Sequence, residues 1–248
     1  MEGCIYGVSL GPGDPDLITI KALRLIKTAD RVYYPGTVGA GGRVGGVAIG
    51  ILEAYSIPED RMSGMLVPMS RHRDAAESCY EENYGRIAAD ARAGKRVVVV
   101  SVGDSGFFST CTAILERAVC DGIATEMVPG IPAFIAAGSS VGMPLALQND
   151  RVLVLAQLDD IELLDKYVKK FETVVVMKLS TLKNGLVKWL ERSGGPFLYA
   201  EKVGMEGEFT TMDINALCQR DIPYFSMLVC SRHCMQSKLY KGNICREK

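Results

Sequence analysis

The chain has 248 residues, 48% of them hydrophobic and 23% charged, enough for one large domain or two of ordinary size with a real core. A formal net charge of -1 and a pI of about 6.2 exclude a global attraction to nucleic acid or to an anionic membrane. No apolar run approaches the roughly 18 residues of a membrane helix, and no basic segment precedes an apolar core at the N-terminus, so a cytoplasmic protein without a membrane partner is expected.

In chain order, Ile5 to Leu10 reads as a strand. Apolar residues at Leu17, Ile18, Ile20, Ala22, Leu23, Leu25 and Ile26 then recur at helical spacing, predicting a helix from Pro15 to Thr28 with Asp14 as its N-cap. Arg31 to Tyr34 is a second strand, followed by a flexible stretch, GTVGAGGRVGG, that holds six glycines. A helix is predicted over Ala75 to Ala93, ended by Gly94. RVVVVSV, Arg96 to Val102, has the uniformly apolar character of a strand buried on both faces of a parallel sheet. Thr110 to Cys120 reads as helix and Thr125 to Val128 as extended chain. After VPGIPAF the rhythm restarts with a helix to about Val141, a strand at Val152 to Leu155 and a helix near Ile161 to Phe171. A strand at Thr173 to Lys178, a helix at Leu182 to Ser193, and strands at Phe197 to Glu201 and Tyr224 to Cys230 complete it. The alternation predicts an α/β protein with a parallel sheet in its first half and a second α/β unit with more strands. The expected domains are 1–129 and 130–235, with 236–248 a loose polar tail.

Eight scattered cysteines without a CxxC pair favour buried free thiols over a disulfide framework. Cys230, His233 and Cys234 are soft ligands close in sequence, but a second ligand cluster is missing unless Cys245 serves, and no metal is expected.

The loop SLGPGDPD follows the first strand. A triphosphate-binding loop needs a Lys followed by Ser or Thr at the helix start, where this chain has Asp14-Pro15-Asp16, and the G-x-G-x-x-G dinucleotide fingerprint fails at its third glycine. Two readings stay open: a capped turn without a ligand, or one wall of a site at the strand ends for a cationic or hydroxyl-bearing ligand. SVGDSGFFST, Ser101 to Thr110, also follows a buried strand. Gly103 and Gly106 allow close backbone approach, Asp104 offers an acceptor, and Phe107 and Phe108 offer apolar surface. VPGIPAFIAAGSSVGMPLA is rich in small residues, which suit either a flat ligand or helix packing on a sheet.

The segments GVSLGPGDPDLITIKALRLIKTADRVYYPG, GDSGFFST, VPGIPAF, VVVMKLS and EKVGMEGE, in this order between about Ile5 and Cys230, resemble the tetrapyrrole (corrin/porphyrin) methylases. YYPG, FFST, MKLS, KVGMEGE and PYFSMLV are most similar to the branch that methylates C20 of a partly reduced tetrapyrrole in cobalamin biosynthesis. The resemblance implies two α/β domains with the active site in the cleft between them, S-adenosyl-L-methionine as methyl donor, a small-molecule tetrapyrrole substrate and a homodimer. Carried over by motif, the cofactor positions are Pro12, Val102, Gly103, Asp104, Phe107, Pro132, Ala133, Met177 and Gly204. Two matches are inexact: Ser105 stands where many relatives have Pro after Gly-Asp, and Pro132 where they often have Thr or Ser. Some relatives carry a proton-accepting Asp after the second strand; the corresponding residue is Pro35, so no catalytic residue is assigned. A carboxylate-rich substrate calls for cations, for which Arg43, Arg71, His72 and Arg73 are candidates, with Lys178 and Lys202 as alternatives. Other readings are a different corrin methylase, the diphthine synthase or ribosomal RNA methylase branches, and a non-catalytic α/β ligand-binding module. Low net basicity and the FFST and PYFS segments count against the diphthine and RNA branches.

Overall fold

In the computed structural model, which describes residues 3–38, 44–66, 73–218 and 220–235, the chain divides into two compact units, Met1–Pro132 and Ala133–Lys248. The first contains β1 (Cys4–Ser9), α1 (Ile20–Thr28), β2 (Arg31–Val38), β3 (Val44–Gly45), α2 (Val47–Ala54), β4 (Met62–Leu66), α3 (Arg73–Arg92), β5 (Val97–Ser101), α4 (Cys111–Cys120) and β6 (Ala124–Val128). Its sheet has the order β4-β2-β5-β1-β6, all parallel, with β3 antiparallel on the far end of β2.

The uniform apolarity of β5 has a direct cause. Val97 and Val99 pack with Ile5, Ile87, Ala91 and Leu115 on one face, while Val98 and Val100 pack with Val8, Ala22, Ile26 and Leu52 on the other. Helices α3 and α4 therefore cover one face and α1 and α2 the opposite one, each buried valine contributing about 1.5–3 kcal/mol. The chain leaving β1 crosses beyond β5 to reach β2, and the chain leaving β5 crosses beyond β1 to reach β6. The carboxyl ends of β1 and β5 thus form a topological switch point, where open α/β sheets leave a ligand crevice.

The second unit contains α5 (Ala133–Ser140), β7 (Val152–Leu155), α6 (Leu163–Lys170), β8 (Thr173–Met177), α7 (Lys183–Ser193), β9 (Phe197–Glu201), β10 (Phe209–Thr211) and β11 (Ser226–Ser231). Its sheet has the order β10-β9-β11-β8-β7, with β7 parallel to β8 and β11 antiparallel to both β8 and β9. Leu164, Val174, Val176, Leu186, Trp189, Tyr199 and Leu228 form its core, and the Trp189 indole donates to Asp165 at 2.9 Å.

Several expectations need correction. The predicted helix from Pro15 is two elements: a 3-10 turn over Pro15–Leu17, then α1 from Ile20, separated by Ile18 and Thr19 in extended conformation. Asp14 caps only the short turn, through Asp16 N–H at 2.9 Å, and Thr19 caps α1, accepting from Ala22 N–H at 3.2 Å. β2 runs on to Val38, so Pro35 lies within the strand rather than after it. β2 tolerates this proline because its pairing with β5 ends at Tyr33, leaving Pro35 beside β4 alone. Among the described residues the second unit has five strands to the first unit's six, where more strands were expected in the second. β3 lies within the glycine-rich stretch, whose composition hid its strand pattern, and β4 was not among the predicted strands. Residues 39–43, 67–72 and the expected tail at 236–248 lie outside the described residues.

Thr19→Ala is expected to destabilise the protein by about 1 kcal/mol in urea denaturation, because it removes the cap of α1. If the helix instead began at Pro15, as its apolar spacing suggests, this substitution would be neutral.

Candidate functional site: three loops at the switch point

The loops after β1 and β5 meet through backbone hydrogen bonds, and the loop after β6 joins them through the Asp104 side chain. Gly11 N–H donates to Gly103 carbonyl at 3.1 Å, and Gly103 N–H donates back to Gly11 carbonyl at 2.6 Å. Both glycines have positive φ, +80° and +77°, a conformation that costs other L-residues roughly 1–2 kcal/mol. Their surroundings differ. A Cβ on Gly11 would stand 2.9 Å from the Leu17 carbonyl oxygen, whereas one on Gly103 would meet nothing within 4 Å. Gly103 therefore presents bare backbone to open space.

Beneath this bridge lies a buried hydroxyl latch. Ser9, the last residue of β1, donates to the Val128 carbonyl at 2.7 Å and accepts from Ser105 N–H at 2.8 Å. The Ser105 hydroxyl sits 3.1 Å from Ser9 Oγ and 3.3 Å from the Val128 carbonyl oxygen, and both serines are fully buried. Asp104 closes the third side. Its Oδ1 accepts from Gly106 N–H at 2.8 Å and its Oδ2 from Gly130 N–H at 2.7 Å. Gly130 has no room for a side chain, since a Cβ would lie 2.4 Å from Ser9 Cβ and 2.8 Å from the Gly103 carbonyl oxygen.

Of the positions named from the sequence, Val102, Gly103, Asp104 and Phe107 lie on this loop cluster. Pro12 follows the Gly11 bridge and is buried, and half-buried Pro132 ends the third loop. Phe107 is half-buried and packs its ring on Phe108 with centroids 4.5 Å apart, Phe108 itself being exposed with φ +51°. Ala133 is the first residue of α5.

Met177 and Gly204 belong to the second unit, at the ends of β8 and beyond β9. Gly204 has φ +73°, and its N–H is held by Glu208 Oε2 at 2.8 Å. Lys178 and Lys202 directly follow β8 and β9. Arg43, Arg71 and His72 lie outside the described residues, as does the side chain of Arg73, which opens α3.

The Cys-His-Cys stretch has other duties. His233 Nε2 lies 2.6 Å from Asp150 Oδ2, and burial pushes the Cys230 and Cys234 thiols up to about 12 and about 11, so both stay protonated at neutral pH.

Ser9 and Gly130 were not singled out from the sequence, and Ser105 only as an inexact match to the family pattern. Their signal was faint: a serine ends an otherwise apolar buried strand, and a second serine follows the Gly-Asp pair of the next loop.

Glycine-rich loops at the switch point of a parallel sheet make this cluster a candidate ligand site of an α/β protein. Residues 4–215 match the model of the tetrapyrrole (corrin/porphyrin) methylases, and the chain belongs to that family. It is 28% identical over 238 residues to the cobalt-precorrin-2 C(20)-methyltransferase of Salmonella typhimurium, a match covering 94% of this chain and 98% of the relative. It is 27% identical over 240 residues to a precorrin-2 C(20)-methyltransferase of Sinorhizobium, covering 92% and 94%. In fold it is similar to the uroporphyrin-III C-methyltransferase of Thermus thermophilus solved with S-adenosyl homocysteine, with a TM-score of 0.62 and 21% identity over 93% of this chain and 98% of that one.

Gly130→Ala is expected to cost about 1–3 kcal/mol, because its new methyl group meets backbone and a strand Cβ that cannot yield. Ser9→Ala leaves the buried Ser105 N–H without its acceptor and should cost a similar amount. Thermal denaturation of both variants checks this, and wild-type melting of either contradicts the latch.

Proposed function

We propose that the chain transfers a methyl group from S-adenosyl-L-methionine to C20 of precorrin-2 or of its cobalt-containing counterpart, in cobalamin biosynthesis. The observation that carries this reading is similarity to C20-methyltransferases along more than nine-tenths of both chains. The reading includes a homodimer, as the family resemblance implies, and a cytoplasmic location, as the lack of a membrane-length apolar run suggests. Among the described residues, no helix is long and apolar enough to cross a membrane.

The first-unit loops fit the cofactor. Open space in front of Gly103 admits a ligand against its backbone, where any side chain would stand in the way. Asp104 spends one lone pair of each oxygen on Gly106 and Gly130, leaving acceptor capacity for ligand hydroxyls. Phe107 and Phe108 supply an apolar surface beside it. When bound, S-adenosyl-L-methionine supplies an electrophilic methyl group on a sulfonium. The chain's contribution is alignment: fixed glycine backbone holds the donor in one orientation, and apolar surface keeps water from the reacting atoms. Pro35 has no proton to exchange and is a strand residue, so removal of the substrate proton is not assigned to that position.

Incubation with methyl-labelled cofactor and either metal-free or cobalt-loaded precorrin-2 is expected to place the label at C20. No transfer to either form contradicts the reading. Gly103→Val should weaken cofactor binding at least about tenfold by calorimetry, and unchanged affinity would remove Gly103 from the site.

A further inference from the structure

The second unit carries a group of side chains that the cofactor loops do not use. β11 lies between β8 and β9 and runs antiparallel to both, so it begins where they end; Ser226 pairs with Glu201 and Met227 with Met177. At this end Lys178 and Lys202 occupy the left-handed region, with φ +56° and +51°, a strained choice for lysine. Both are held there by the same segment: Lys178 N–H donates to the Ser226 carbonyl at 2.9 Å and Lys202 N–H to the Phe225 carbonyl at 2.8 Å. The strand ends therefore fix the two lysines on either side of the Tyr224-Phe225 turn.

That turn is itself braced. Ser226 Oγ donates to the Pro223 carbonyl at 2.5 Å, and the Tyr224 and Phe225 rings meet edge to face at 5.2 Å while remaining 40% and 41% exposed. The Lys178 ammonium stands 5.9 Å from the Tyr224 ring centroid. The Lys202 side chain is laid across Gly207, its Nζ 3.5 Å from where a Cβ would be. Nearby carboxylates are partly committed elsewhere, Glu201 to Tyr199 and Arg220 and Glu208 to Gly204 N–H. Among the described residues, neither lysine is in an ion pair.

We propose that Lys178, Lys202, Tyr224 and Phe225 form a subsite for the carboxylated edge of the tetrapyrrole. The exposed rings take the apolar face of the macrocycle beside that edge, and the two ammonium groups receive its side-chain carboxylates. This rests on the proposed substrate class and locates its recognition on residues that the cofactor positions do not include.

The test uses the whole protein and two readouts. Lys178→Asn/Lys202→Asn keeps the left-handed backbone acceptable while removing both charges. It should raise the KM for precorrin-2 about tenfold or more, with the cofactor dissociation constant within twofold, and Lys→Arg at both positions should restore most of the loss. Binding of uroporphyrin III, followed by its fluorescence, should weaken by a similar factor in the Asn variant and in Tyr224→Ala/Phe225→Ala. Lys202→Glu, at an exposed residue, serves as the second variant if the double substitution disturbs folding, and should weaken uroporphyrin binding further. Wild-type KM and wild-type uroporphyrin affinity in folded variants overturn the subsite. A wild-type protein that binds uroporphyrin through these residues but transfers no methyl group overturns the proposed function and leaves the subsite standing.

Discussion

The hydroxyl of Ser9 holds together the ends of three strands. It closes β1 onto the carbonyl that ends β6 and onto the amide of the loop after β5, all out of water. A buried hydroxyl without partners is costly, so the loops are constrained to meet in one arrangement. The Gly11–Gly103 bridge and the two bonds to Asp104 stand on that base. A site made this way depends on backbone direction more than on side-chain identity, which suits a ligand recognised by orientation.

Much of this was legible from residues. The uniformly apolar RVVVVSV run announced a parallel strand covered on both faces, and of the glycines in the loops after β1 and β5, Gly103 faces open space while Gly11 packs against Leu17. The loop SLGPGDPD lost its resemblance to a phosphate cradle on chemistry alone, since it lacks the lysine and offers carboxylates. Its aspartates now divide: Asp14 caps the 3-10 turn, and Asp16 contributes its amide to that cap. Periodicity failed where local hydrogen bonding outweighed it. Thr19 starts α1 five residues later than the apolar spacing suggests, and Pro35 hid the continuation of β2 because its missing N–H is harmless where β5 no longer pairs.

The latch itself was not legible. Ser9 and Ser105 are 96 positions apart, and only folding brings one hydroxyl to the other's amide. Lys178 and Lys202 were candidates from the sequence, but that one segment from later in the chain holds both of their amides was not legible there. Spacing along a sequence carries no sign of such pairings.

The central claim is that the loops after β1, β5 and β6 form one preorganised cradle for the methyl donor. Amide hydrogen exchange resolved by residue, with and without S-adenosyl homocysteine, tests it most directly. The account predicts slow exchange at the buried Ser105 amide even in the free protein, and added protection across residues 101–107 and 128–132 on binding. Fast exchange at Ser105 in the free protein, or ligand protection that bypasses these loops, would contradict it.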